Sequence, residues 1–219
     1  ELFMTAPSPG QIARYLKNKH YETEEAYVYA LADTMKREYE AIVDAGFILQ
    51  LDCPDLAMLR HTVYLDKSLS DFRKIIALNV AALNRAVADI PADRMRMHVC
   101  WGSTMAPHHT DVPLMDIIDI VLLAKPMAVS FPAANARHEH EWKIWREVKL
   151  PAGKAIVRFD GEHRGASGGR RRSYPEFCQC GRAPERYRWS RLWFRNFRWP
   201  RSGRYQDRLA QTAIARRRR

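Results

Sequence analysis

The last 62 residues contain no lysine. Residues 158–219 hold 18 arginines and five acids, a net charge of +13, whereas residues 1–157 hold nine lysines and a net charge of −2. The formal charge of +11 therefore belongs wholly to the C-terminal part. An absence this abrupt marks two compositions in one chain. Cysteine is also scarce. The four cysteines have no spacing of a disulfide framework, which excludes a stapled secreted scaffold and implies a reducing cytoplasm. Long apolar runs are missing. The most apolar stretch, near Ile117–Ala124, falls far short of the roughly 20 residues of a membrane helix, so no membrane partner is expected. No secretory leader is legible. The chain opens at Glu1 without an initiator Met, and an upstream part is expected.

What is present in the first part is an alternation of strands and helices. Leu2–Ala6 reads as a strand followed by the turn Pro7-Ser8-Pro9-Gly10. Thr23-Glu24-Glu25 opens a helix to about Ala45, with Ala26, Tyr29, Ala30, Met35, Tyr39, Ile42 and Val43 at helical spacing and Gly46 as its stop. A strand at 47–52 follows. Ser70-Asp71 caps a helix to about Ile90, whose buried side is Phe72, Ile75, Ile76, Leu78, Val80, Leu83 and Val87. Then come a strand at 95–100, a helix from Asp111 to Ala124, a strand at 127–131 and a helix over Glu139–Val148. About four strands separated by helices predict a parallel α/β domain over 1–157. A barrel of (β/α) units is favoured over a doubly wound sheet, and four strands make half of one.

The chemistry collects at strand ends. Met97-His98-Val99-Cys100-Trp101-Gly102 is a short apolar strand ending in two soft metal ligands. His98 and Cys100 are two residues apart, so on a strand they share a face. Such a pair is half of a zinc site. Phe47–Pro54 is a second strand, ending in the carboxylate of Asp52. Two strand ends that present chemistry point to an enzyme on parallel strands.

Four phrases resemble the catalytic domain of cobalamin-independent methionine synthases and their single-domain zinc-dependent thiol alkyltransferase relatives. They are Phe3-Met4-Thr5-Ala6-Pro7-Ser8-Pro9, Leu49-Gln50-Leu51-Asp52-Cys53-Pro54-Asp55-Leu56, Met97–Gly102 and Phe131–Trp142. The resemblance covers about residues 2–155. It implies a (β/α)8 barrel of the TIM type and a zinc ion that holds a thiol substrate as a thiolate. The implied reaction is methyl transfer from 5-methyltetrahydrofolate to homocysteine, in methionine synthesis. The close alternative is alkyl transfer to another thiol such as coenzyme M. On this resemblance His98 and Cys100 are zinc ligands and Asp52 binds the substrate's amino group; Cys53 by itself reads as a structural neighbour. The family's third ligand, an acid, is expected at position 132, where this chain has Pro132. The fourth is a Cys in an Asp-Cys-Gly-Phe-Gly phrase that the chain lacks as written.

That missing phrase lies in another reading frame. Arg191-Leu192-Trp193-Phe194, written CGA CTG TGG TTT and reread from its second base, becomes Asp-Cys-Gly-Phe. Ser173–Gly181 and Arg204–Ala213 likewise become apolar-periodic segments similar to the family's last helices. Trp has one codon and must yield Gly on this shift, and Trp189 and Trp193 both fall where the family phrase has Gly. A slip near Val157–Glu162 is therefore expected. It makes 158–219 a disordered or irregular basic tail rather than a domain, and the chain an inactive fragment with an incomplete zinc site.

Other constellations carry two readings each. His108-His109 with Asp111 offers metal ligands, but loop residues near the site mouth are the favoured reading. His138-Glu139-His140-Glu141 looks like half of a metalloprotease signature but lacks its His-Glu-x-x-His spacing. Cys178-x-Cys180 has no second pair. Taken at face value, the tail offers a function of another class. Arg interleaved with Trp189, Trp193, Phe194, Phe197 and Trp199, with the run Arg216–Arg219, suits adventitious single-stranded nucleic-acid binding. The partners otherwise expected are a small thiol and a methyl donor.

Overall fold

The structure, a computed structural model, describes residues 2–102, 107–132 and 137–159, with the side chains of 158 and 159 excepted. The expected tail from residue 160 on, with its aromatic residues and Cys178-x-Cys180, lies outside the described residues.

Five strands form one parallel sheet in sequential order: β1 (Phe3–Pro7), β2 (Ile48–Asp52), β3 (Met95–His98), β4 (Ala128–Pro132) and β5 (Ala155–Phe159). The order never reverses, so the sheet contains no topological switch point among the described residues. A doubly wound sheet reverses its order and places helices on both faces, whereas a sequential parallel sheet with right-handed crossovers collects them on one. The strand residues record this asymmetry. Leu49, Leu51, Met95 and Met97 are fully buried, while Gln50, Asp52, Arg96 and His98 on the other face are only half-buried. On that second face Gln50 donates to Thr5 Oγ1 at 3.3 Å, and the Arg96 guanidinium lies 3.8 Å from the centre of the Phe3 ring.

The helices pack against the buried face. The short α1 (Pro9–Tyr15) is capped by Ser8, whose Oγ accepts from Gln11 N. Thr23 caps α2 (Glu24–Asp44), and acids in the first turn meet the positive end of its dipole. Gly46, at φ 89°, lets the chain reverse into β2. A short helix α3 (Leu59–Thr62) follows β2. The long α4 (Leu69–Ala86) buries Phe72, Ile76, Asn79, Val80, Ala82, Leu83 and Ala86. A single turn, α5 (Ile118–Val121), follows β3. Tyr39 of α2 is fully buried, and its hydroxyl donates to Pro7 O at 2.6 Å, tying helix to strand.

Several expectations are corrected. The described residues hold five strands, because Ala155–Phe159 pairs with β4 across its whole length and runs two residues past the expected boundary at 157. The turn at Pro7–Gly10 opens α1. The cap of α4 is Ser68, whose Oγ accepts from Asp71 N at 3.0 Å. The buried stripe of α2 runs through Tyr27, Val28, Ala32, Tyr39 and Ile42, leaving Ala26 exposed. The helix expected from Asp111 to Ala124 is a 3-10 turn (Leu114–Asp116) and the single turn α5, since Pro113 breaks the segment. Glu139–Arg146 is a 3-10 run rather than an α-helix. No helix among the described residues is long and apolar enough to cross a membrane.

Candidate functional site

The C-terminal ends of the strands carry two groups of polar side chains. The first lies on β2 and β3. Asp52 is in register with His98, and His98 with Ser130 of β4, so the three form one rank across the sheet. Backbone bonds extend the ladder beyond the strands: Ser8 N donates to Asp52 O, Cys53 N to His98 O and Val99 N to Ser130 O, at 2.8–3.0 Å. Strand alternation puts Cys100, two residues on, at the same face as His98.

Burial dominates the electrostatics here. It pushes the Asp52 carboxyl up, and the neighbouring His98 pulls it partly back. Burial lowers the His98 imidazole, Asp52 opposes this, and Arg96 reinforces it. Burial likewise pushes the Cys100 thiol up, against a smaller downward pull from a backbone hydrogen bond at Gly102. Gly102 itself, at φ 84°, is required. A Cβ there would meet Met58 Sδ at 2.8 Å. Cys53 is fully buried and pushed up in the same way, as expected of a structural neighbour.

Beneath this rank lies a buried polar network. Asp55 accepts from Ser8 Oγ at 2.6 Å and from Asn79 Nδ2 at 3.0 Å. Its carboxyl is raised to about 6, because desolvation outweighs these hydrogen bonds. The network joins the N-termini of α1 and the 3-10 turn Pro54–Leu56 to the middle of α4.

The second group lies in the loops beyond the same strand ends. Asp111 is the hub. Its Oδ2 is 2.7 Å from His108 Nδ1 and 3.0 Å from His138 Nε2, and its Oδ1 is 2.9 Å from His61 Nδ1. Trp101 is buried and stacks on His138 with ring centres 4.1 Å apart, while its indole donates to Val112 O at 2.7 Å. Glu141 accepts from Leu114 N at 3.1 Å. His61, His108 and Asp111 are the only set of three or more His, Cys, Asp or Glu among the described residues whose ligand atoms all lie within 4.8 Å of one another. The cluster is compatible with a metal site.

Sequence reading therefore placed Asp52, His98 and Cys100 at neighbouring strand ends, but these three do not form such a convergent set among the described residues. Pro132 ends β4 and has no donor atom. Two protein donors do not make a closed zinc site, so the residues described here do not fit a preformed zinc centre. His61 was missed. Nothing in its local sequence distinguishes it, and only the sheet order brings the loop after β2 beside the loop after β3. His108 Nδ1 and Asp111 Oδ2 are hydrogen-bonded to one another at 2.7 Å, whereas His109 is exposed. His138 and Glu141 join the cluster as separate side chains rather than as a metalloprotease pair.

No protein-family model matches the chain. It is 30% identical over 119 residues to a methionine synthase of Saccharolobus islandicus, and equally to one of Saccharolobus solfataricus. A methionine synthase from another Saccharolobus islandicus strain is 29% identical over the same length. Each match covers 53% of this chain and 32% of the relative, so the chain spans about a third of the length of the curated relatives it matches. The likeness supports a relationship to methionine synthases.

Proposed function

We propose that this chain carries the thiol-substrate half of a methyl-transfer domain, of the kind that moves a methyl group from 5-methyltetrahydrofolate to homocysteine in methionine synthesis. The carrying observation is the register of Asp52 against His98, with Cys100 two residues beyond. It sets one carboxylate and two soft donors at the same end of neighbouring strands. The five sequential strands are read as the first part of a (β/α)8 barrel, and the half-buried rank of Gln50, Asp52, Arg96 and His98 as its inner wall.

Asp52 receives the ammonium of the thiol amino acid. A cation there opposes the desolvation that raises this carboxyl, so binding favours its charged form. An acid at this place favours a thiol that bears an ammonium over an anionic one such as coenzyme M. A zinc ion, where bound, would supply an activated thiolate. The set His98, Cys100 and Pro132 does not hold it tightly, and the chain as written is inactive in transfer. Residues 158–219 are read as a frame-shifted tail, which as written lacks the Asp-Cys-Gly-Phe-Gly phrase.

Calorimetric titration of the protein with homocysteine tests the reading. Wild type is expected to bind, and Asp52→Asn to weaken binding by at least about tenfold (~1.4 kcal/mol). Equal binding by Asp52→Asn, or tighter binding of coenzyme M than of homocysteine, would contradict it.

A further inference from the structure

The second group of side chains forms a site of its own. His61 comes from α3, which follows β2. His108 and Asp111 come from the segment between β3 and α5. Ligand atoms from these two loops all lie within 4.8 Å of one another, and all three residues are half-buried. His61 Nδ1 and Asp111 Oδ1 are 2.9 Å apart and both buried, yet neither makes a hydrogen bond. The pair is an ion pair when the imidazole is protonated, and His108 Nδ1 bonds the other Asp111 oxygen at 2.7 Å; with both imidazoles neutral, the same atoms stand close enough together to ligate one ion.

Outer contacts orient the set. His138 Nε2 is 3.0 Å from Asp111 Oδ2, and its Nδ1 is 3.9 Å from Glu141 Oε1. Trp101 holds that imidazole by stacking. A carboxylate and an imidazole behind the primary ligand are the usual supports of a metal ligand.

We propose that His61, His108 and Asp111 bind a divalent transition metal, zinc by preference, separately from the strand-end pair His98 and Cys100. Two imidazoles disfavour calcium and magnesium, which take oxygen ligands, and the lack of sulfur disfavours copper(I). Three protein donors leave one position for water or a ligand. The bound ion clamps the loops after β2 and β3 together at the mouth of the strand-end site.

Cobalt(II) titration of the full chain, with Cys178→Ser and Cys180→Ser to remove the tail thiols, tests this. Visible ligand-field absorption without a sulfur-to-cobalt charge-transfer band is expected. It should persist in a His98→Ala, Cys100→Ser variant. Asp111→Asn and, separately, His61→Gln should each weaken cobalt and zinc binding by at least about tenfold and abolish the zinc-dependent rise in melting temperature. Circular dichroism checks that each variant folds, and either one suffices. Metal binding that is unchanged in both loop variants, that is lost in the strand-end variant, or that is missing from the parent protein would overturn the proposal. Failure of homocysteine binding would leave it standing.

Discussion

Asp55 holds the position at which a single residue reports most clearly on the fold. It is 1% exposed, and its carboxyl is raised from 3.8 to about 6. The folded state therefore holds this proton more tightly than the unfolded state. Its stabilising contribution is full below about pH 4 and is lost as pH rises toward 6, a change on the order of 3 kcal/mol. Urea denaturation of wild type and Asp55→Asn should show wild type losing more stability between pH 4.5 and 7 than the variant. Parallel pH profiles would contradict this origin. The same network makes Gly10 irreplaceable, since a Cβ there would lie 2.3 Å from Asp55 Oδ2 and 2.5 Å from Asn79 Nδ2. Gly10→Ala should cost about 1–3 kcal/mol by overpacking, measurable by the same denaturation. None of this network was legible in the sequence. Asn79 interrupts an apolar stripe on α4, and only the folded chain shows that Asp55 is what it meets.

Elements were legible where a period was long and its ends were signed. Thr23 before two glutamates fixes the start of α2, and Gly46 its end. The signal was weaker wherever the sequence offered two candidates of the same kind. Ser68 and Ser70 both precede the apolar run of α4, and the one whose Oγ faces Asp71 N is Ser68. Ser68→Ala should therefore lower stability by about 1 kcal/mol, and Ser70→Ala by less. Thermal melts of the two variants separate them. Between β3 and β4 apolar residues are plentiful, but Pro113 and the following 3-10 turn leave room for one helical turn only. There hydrophobicity signals burial under tertiary contacts and carries no helical period. The strand β5 hid because Ala155–Phe159 adjoins the change of composition, and its membership of the sheet depends on a distant partner, β4.

Across the whole molecule, the strand order and the charge distribution matter most. Parallel strands were readable from the alternation of strands and helices, and with them the gathering of Asp52 and His98 at one end of the sheet, while the choice of sequential over doubly wound order came from the fold. The cluster around Asp111 was not, because His61 and His138 enter it from loops whose adjacency only the sheet creates. The net +13 of residues 158–219 gives a separate expectation. Any affinity for single-stranded nucleic acid should fall steeply with salt and vanish on truncation after Phe159, which keeps β5 whole. Binding that survives truncation would assign it to the α/β part.

On the proposed function, the strand ends are a thiol methyl-transfer site short of its third zinc donor. Position 132 lies two residues beyond Ser130, the register partner of His98, and so aligns with Cys100. The most direct test is zinc affinity of Pro132→Glu, by competition with a chromophoric chelator in an Asp111→Asn background with the tail thiols replaced. Pro132→Glu should bind zinc at least about tenfold more tightly than its parent, and adding Cys100→Ser should remove the gain. An affinity unchanged by Pro132→Glu, or a gain that survives Cys100→Ser, would contradict this.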